Sequence, residues 1–262
     1  MDLRISVLGP VEVTVEGCPR PLPHGGARVI FALLALNKPH VVGVAHFVEA
    51  LWEEHPPPSA ATRIQSHVSA IRRTLGCRSV AHPHPGCPVE TGPRGYRLVA
   101  GASDLDRFRT AVVAARALRA AHATPATRLN ALAGARALWT GEPCVDVGSV
   151  AVRNAAAPLV DDYLDVVEEW AELSIRLGSY HEVVAALRGL VARYPAREHL
   201  CGSLMAALAA SGRVAEALAT YRASRARLTA DLGIEPSERL QRLHNDLLNG
   251  VIRPLPTVQL AY

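Results

Sequence analysis

The side chains best spaced for chemistry in this sequence lie between residues 59 and 75, SAATRIQSHVSAIRRTL. At helical spacing Thr62, Ser66, Ser69 and Arg73 fall on one side, Arg63 and Arg72 flank them, and no carboxylate shares that side. Short hydroxyls let a backbone come close. Guanidinium groups present a planar fork of donors that suits phosphate oxygens and guanine edges. The chemistry this face offers is therefore recognition of an anionic partner, weighed against the ordinary alternative of a solvated helix face.

Other candidate groups point away from catalysis. Cys77, His82, His84 and Cys87 fall within CRSVAHPHPGC, a composition that suits zinc. The spacing matches no closed site, and each proline restricts the residue before it, so an extended loop is expected and no metal. Asp161, Asp162, Glu168 and Glu169 resemble an acid/base set, but helical spacing puts several on the outer side of one long helix, a solvated face. His67 lies beside the apolar stripe of the 59–75 helix and reads as a packing residue, with a phosphate contact as the alternative. No nucleophile elbow, phosphate-binding loop or dinucleotide glycine signature occurs, so neither an enzyme nor a cofactor is expected. A receiver-type phosphorylation domain is not expected either.

Charge reinforces the anionic partner. The net charge of the 262 residues is only +4, yet of the 28 basic residues Lys38 alone is lysine. From His55 to Ala100 there are six arginines and one acid, Glu90. Charge gathered in this way favours nucleic acid over an acidic small molecule. The five cysteines are scattered, as reduced thiols are. The start, MDLRISVLGP, has no long apolar core, and no run is long enough to cross a bilayer. A soluble, cytoplasmic, nucleoid-associated protein with no membrane partner is expected.

The elements that would hold the face follow from periodicity. Leu3, Ile5, Val7 and Val11, Val13, Val15 alternate with polar residues about Gly9-Pro10, an antiparallel hairpin. A short edge strand is expected at Arg20–Leu22. Ala27–Leu36 is apolar nearly all round and should be a buried helix ended by Pro39. Val44–Trp52 is a second helix, with Phe47, Val48, Leu51 and Trp52 inward. Pro56-Pro57-Pro58 leads into the third, with Ser59 as its cap and Ile64, Val68, Ile71 and Leu75 as its buried stripe. Strands are expected at Ser79-Val80 and Tyr96–Val99. A sheet, three helices and a terminal hairpin make a winged helix, whose third helix enters a major groove while the hairpin reaches the neighbouring backbone.

The run LLAL…VV…FVEALW…PPPSAATRIQSHVSAIRRTLG…GPRGYRLV resembles the OmpR/PhoB-type DNA-binding domain as it appears in the Streptomyces antibiotic regulatory protein (SARP) family. The resemblance implies that Ser66, Arg72 and Arg73 occupy positions used on DNA. It further implies that Thr62 and Arg63 sit near phosphates and that Arg94 approaches the minor groove or its backbone. Ser69 shares the same face. Ala70 departs from the pattern, standing where family members commonly carry arginine.

Beyond Ala100 the chain turns to alanine- and leucine-rich helices: Leu105 to about His122, about Ala126 to Trp139, and Pro158–Leu177 with an inner stripe of Leu159, Tyr163, Val166, Trp170, Leu173 and Leu177. Gly178-Ser-Tyr-His-Glu-Val and Gly212-Arg-Val-Ala-Glu-Ala are 34 residues apart, the tetratricopeptide period. In register, Val183 matches Ala217 and Leu187 matches Tyr221. Ala115–Pro143 reads as an earlier, degenerate unit with Ala123 at the turn. With its LDRF opening and DLGIEP close, this half resembles the bacterial transcriptional activator domain of SARP regulators.

The expected architecture is an α+β winged helix-turn-helix domain over 1–100, an all-α tetratricopeptide-like domain over 101–250 and a tail over 251–262. The resemblance implies a DNA-binding activator of antibiotic or secondary-metabolite genes that binds promoter direct repeats, recruits RNA polymerase with its sigma factor, and pairs as a homodimer on DNA. The alternative is a helical-repeat interaction or effector-sensing module whose winged helix contacts protein.

Overall fold

The structure, a computed structural model, describes residues 2–77 and 87–251. They form two compact units: residues 2–121 with Ala133–Tyr163, and His122–Leu132 with residues 164–251.

In the first unit, β1 (Leu3–Ser6) and β2 (Glu12–Val15) pair antiparallel, with Leu3 opposite Val15 and Ile5 opposite Val13. The period-two alternation buries Leu3, Ile5, Val13 and Val15 together. The edge strand, β3 (Cys18–Pro19), lies just before the expected Arg20–Leu22. The Arg20 N–H still reaches the Val13 carbonyl at 2.8 Å, but Pro21 has no N–H with which to continue the ladder.

Helix α1 (Gly26–Leu36) is buried nearly all round, as its composition requires. β4 (Val42–Gly43) precedes α2 (Val44–Trp52), in which Phe47 alone is fully buried and Val48, Leu51 and Trp52 are half-buried. Helix α3 (Ala60–Thr74) follows. Ser59 stands at its N-cap, but its hydroxyl makes no capping bond. β5 (Val89–Gly92) and β6 (Gly95–Leu98) form a hairpin, and β4 adds to β6 to give the order β4-β6-β5. Gly95 is required there, because a Cβ would lie 2.0 Å from the Val42 carbonyl oxygen. The expected strand at Ser79-Val80 lies outside the described residues.

Packing continues past residue 100. β7 (Ala102–Ser103) adds parallel to β1, completing the order β3-β2-β1-β7, and Ser103 caps α4 (Asp104–Ala120) by accepting from the Asp106 N–H at 3.0 Å. The Asp104 carboxylate accepts the N–H groups of Val7 and Leu8, both at 3.0 Å. The Thr140 N–H reaches the Leu8 carbonyl at 2.8 Å and the Cys144 N–H reaches Val7 at 3.0 Å. Asp146 accepts from the Val11 N–H at 2.8 Å and pairs with Arg28. The turn of the first hairpin thus finds its hydrogen-bond partners at residues 104–146.

Helices α5 (Pro125–Ala137) and α6 (Val150–Arg176) each cross the division between units. Helix α6 begins well before the expected Pro158, which sits inside it. In the second unit, α7 (Tyr180–Arg193), α8 (Glu198–Ala210), α9 (Val214–Leu232) and α10 (Glu238–Leu248) pack in chain order. Gly178 and Gly212 take positive φ, 84° and 76°, where the helices break. Val183, Ala217, Leu187 and Tyr221 are all buried, as the 34-residue register requires. Leu177 departs from the expected stripe: it is 49% exposed, since α6 ends before it. The positive-φ residue between α4 and α5 is His122, one position before the expected Ala123.

Candidate nucleic-acid interface

Ile64, Val68, Ile71 and Leu75 are all at most 1% exposed and seat α3 on α1 and α2. That seating turns the opposite side outward. Thr62, Arg63, Ser66 and Arg73 are exposed and Ser69 is half-buried. The Ser66 hydroxyl donates to the Thr62 carbonyl at 3.0 Å, which leaves its lone pairs outward. Arg94 is exposed at the β5–β6 turn. Arg63, Arg73 and Arg94 have no ion pair or hydrogen bond from their side chains among the described residues. Arg97, on the same hairpin, is paired with Glu90 at 2.7 Å.

Arg72, expected on the flank of this face, is 5% exposed. Its Nε donates to the Val89 carbonyl at 3.1 Å, its Nη2 donates to the same oxygen at 3.0 Å and to the Thr91 hydroxyl at 2.7 Å, and its guanidinium lies 5.8 Å from the centre of the Tyr96 ring. This guanidinium spends its Nε and Nη2 donors inside the protein. It straps the C-terminal end of α3 to β5. Sequence carried a signal for this: Arg72 follows Val68 by four residues and precedes Leu75 by three, which turns it toward the buried stripe.

At the N-terminal end of α3, Arg63, Ser66 and His67 line a cavity of about 290 Å³ with Gly26, Leu51 and Trp52. Burial, and then the Arg63 guanidinium, hold the His67 imidazole below its ordinary value. His67 also sets a steric limit, since a Cβ on Gly26 would lie 2.6 Å from its Nε2. Helix α1 begins here with no acid in its first turn, so its positive end reinforces the sign of this corner. His67 thus borders a basic cavity as well as the core, which sequence periodicity alone did not separate.

Beyond α3, residues 103–248 match the family model of the bacterial transcriptional activator domain. The chain is 32% identical to the regulatory protein DnrI of Streptomyces peucetius over 99% of its own length and 98% of that protein's. It is 31% identical to the transcriptional regulator RedD of Streptomyces coelicolor, covering 94% of this chain and 70% of that one. This chain belongs to the SARP-type family of transcriptional activators.

The SARP-type chain is also 33% identical to the transcriptional regulatory protein EmbR of Mycobacterium tuberculosis over 94% of its length, and spans 63% of that relative. The solved structure of EmbR in complex with a low-affinity phosphopeptide matches 95% of this chain and 65% of that one with a TM-score of 0.78 at 32% identity. A helix-rich chain with a smaller β-containing N-terminal part is common to both.

His82 and His84 lie outside the described residues, and no group of three or more potential metal ligands occurs among those described. Asp162 pairs with Arg116 at 2.9 Å and Glu169 pairs with Arg128. Glu168 is a correction: expected on a solvated face, it is 5% exposed, bonded to His199 Nδ1 at 3.2 Å, with Arg197 at 3.9 Å. Its position two residues before Trp170, flanked by the buried Val166 and Val167, was the available signal. No described helix is long and apolar enough to cross a membrane.

Proposed function

We propose that this protein is a sequence-specific DNA-binding activator, in which residues 1–100 act as a winged helix-turn-helix domain and 101–250 as a tetratricopeptide-like activator domain. Helix α3 enters the major groove. Arg63, Arg73 and Thr62 meet phosphates, Ser66 and Ser69 face base edges, and Arg94 approaches the minor groove or its backbone. The observation that carries the reading is the single-signed outer face of α3, where Arg63 and Arg73 stand exposed beside short hydroxyls, with no ion pair among the described residues. Arg72 is left out of the DNA-contacting set, since its donors are committed to Val89 and Thr91.

Two copies side by side on tandem half-sites bind promoter direct repeats as a homodimer, and the helical domain recruits RNA polymerase with its sigma factor. The regulated genes are those of an antibiotic or other secondary metabolite pathway, in the cytoplasm at the nucleoid, without a cofactor. This pathway assignment and the partners come from family membership, and the groove contacts from the α3 face.

The test is a binding isotherm of the full chain on duplexes from the promoters flanking its gene, repeated at several salt concentrations. Affinity should fall steeply as salt rises, with a log–log slope of about −0.9 for each phosphate neutralised. Near salt-independence, or no preference among duplex sequences, would instead support a helical-repeat module whose winged helix contacts protein.

A further inference from the structure

The Arg72 guanidinium meets both strands of the hairpin that carries Arg94. On β5 its Nη2 donates to the Val89 carbonyl at 3.0 Å and to the Thr91 hydroxyl at 2.7 Å. On β6 it lies 5.8 Å from the centre of the Tyr96 ring, and Tyr96 stands opposite Thr91 in the ladder. One step further along the register Gly92 stands opposite Gly95, and Pro93 and Arg94 make the turn between them. The turn has a second tether. The Val44 N–H, at the start of α2, donates to the Arg94 carbonyl at 3.0 Å, and Val42 pairs with Tyr96. The main chain at Arg94 is thus held by way of α3 and of α2, while its side chain stays exposed. A buried side chain with three hydrogen bonds keeps one rotamer, so the distance from α3 to the turn is set before any partner arrives.

We propose that Arg72 and Thr91 are positioning residues for DNA recognition: the bond between them fixes the span from α3 to the β5–β6 turn, and so fixes where Arg94 meets the duplex. The proposal rests on the reading of α3 and Arg94 as DNA contacts. Neither Arg72 nor Thr91 touches the DNA, and Arg94 carries their effect. With the bond in place, α3 and Arg94 engage neighbouring grooves as one rigid body. Without it the turn shifts against α3, and the Arg94 contact must be ordered at the moment of binding, which lowers affinity. A rigid span also favours duplexes whose flanking groove lies at the matching distance, a preference for DNA shape over base edges.

The test is a double-mutant cycle on the full chain, read as Kd on one promoter duplex, with the folded fraction of each variant taken from its urea curve. Thr91→Val removes the hydroxyl from an exposed position and leaves both bonds from Arg72 to the Val89 carbonyl in place. Arg94→Ala should weaken binding by about tenfold in the wild-type chain and by about threefold or less in the Thr91→Val chain. In the Arg72→Met chain, which lacks the whole strap, Arg94→Ala should change Kd by no more than about twofold. Equal penalties in every background would show that the strap serves stability alone, or that Arg72 acts on DNA directly, and either would overturn the proposal. So would an Arg94→Ala change without effect on the wild-type chain. Should Arg72→Met not fold, the Thr91→Val cycle decides on the same terms. A wild-type chain with no salt-dependent duplex binding would overturn the DNA reading and the proposal with it, an outcome visible before any substitution is made.

Discussion

Two adjacent arginines, Arg72 and Arg73, have the same chemistry and opposite fates. Arg73 is exposed, with no side-chain partner among the described residues, so Arg73→Ala should weaken duplex binding about equally on all sequences and reduce the magnitude of the salt slope by about 1, read from isotherms at several salt concentrations. An unaltered slope would remove Arg73 from the interface. Arg72→Ala removes three hydrogen bonds from a buried strap and leaves the Val89 carbonyl without its guanidinium partner. A loss of about 2–4 kcal/mol in urea unfolding is expected, with any weakening of DNA binding following from it. Both residues were legible as basic positions on a helix. Which of them faced outward depended on about one-third of a helical turn, finer than an apolar stripe of four residues fixes by eye.

At the scale of elements, the helical repeats carry an exposed charge contact between two helices. Glu216 on α9 accepts from Arg188 on α7 at 2.7 Å and from Arg213, just before α9, at 2.7 Å. These hydrogen bonds, Arg213 first, hold its carboxyl well below the ordinary carboxylate range, at about 2. A depressed folded-state value means that the contribution is present above the unfolded value of 4.5 and is lost as the pH falls toward 2. In Tm-against-pH curves, Glu216→Gln should therefore differ from wild type most clearly above pH 4.5 and converge with it toward pH 2. The exposed setting keeps the difference small. Parallel curves with no convergence would show that Glu216 acts through something other than its charge. The 34-residue register that places Glu216 near the start of α9 was legible, because Gly178 and Gly212 mark both turns. The start of α6 was not. Proline at position 158 looks like a first-turn residue, and only packing of Val152 and Ala156 extends the helix behind it.

At the scale of the whole molecule, the first hairpin is hydrogen-bonded to residues beyond 100. Asp104 takes the Val7 and Leu8 N–H groups, and Thr140, Cys144 and Asp146 take up further groups of the same hairpin turn. A fragment ending at residue 100 should be less stable to urea than one ending at 163, and its Val7 and Leu8 amides should exchange faster. Equal stabilities would show that these bonds add nothing net. In the second unit, Trp170 is 2% exposed, and Trp170→Ala should cost about 3–5 kcal/mol by thermal or urea unfolding. An unchanged unfolding curve would mean that its burial is not energetically significant.

By itself the sequence determined the local elements and the sign of the charge gathered over residues 55–100. Period-two runs, a four-residue apolar stripe and a repeated glycine turn are short-range patterns, and six arginines against one acid over residues 55–100 set a sign no packing can reverse. Only the tertiary structure decided which arginines are exposed, that Glu168 is buried beside His199, and that the first hairpin is bonded to residues 104–146. The reason is one of range. Periodicity reports the angle of a side chain about its own axis, whereas a hydrogen bond depends on what a distant segment brings to within 3 Å of it.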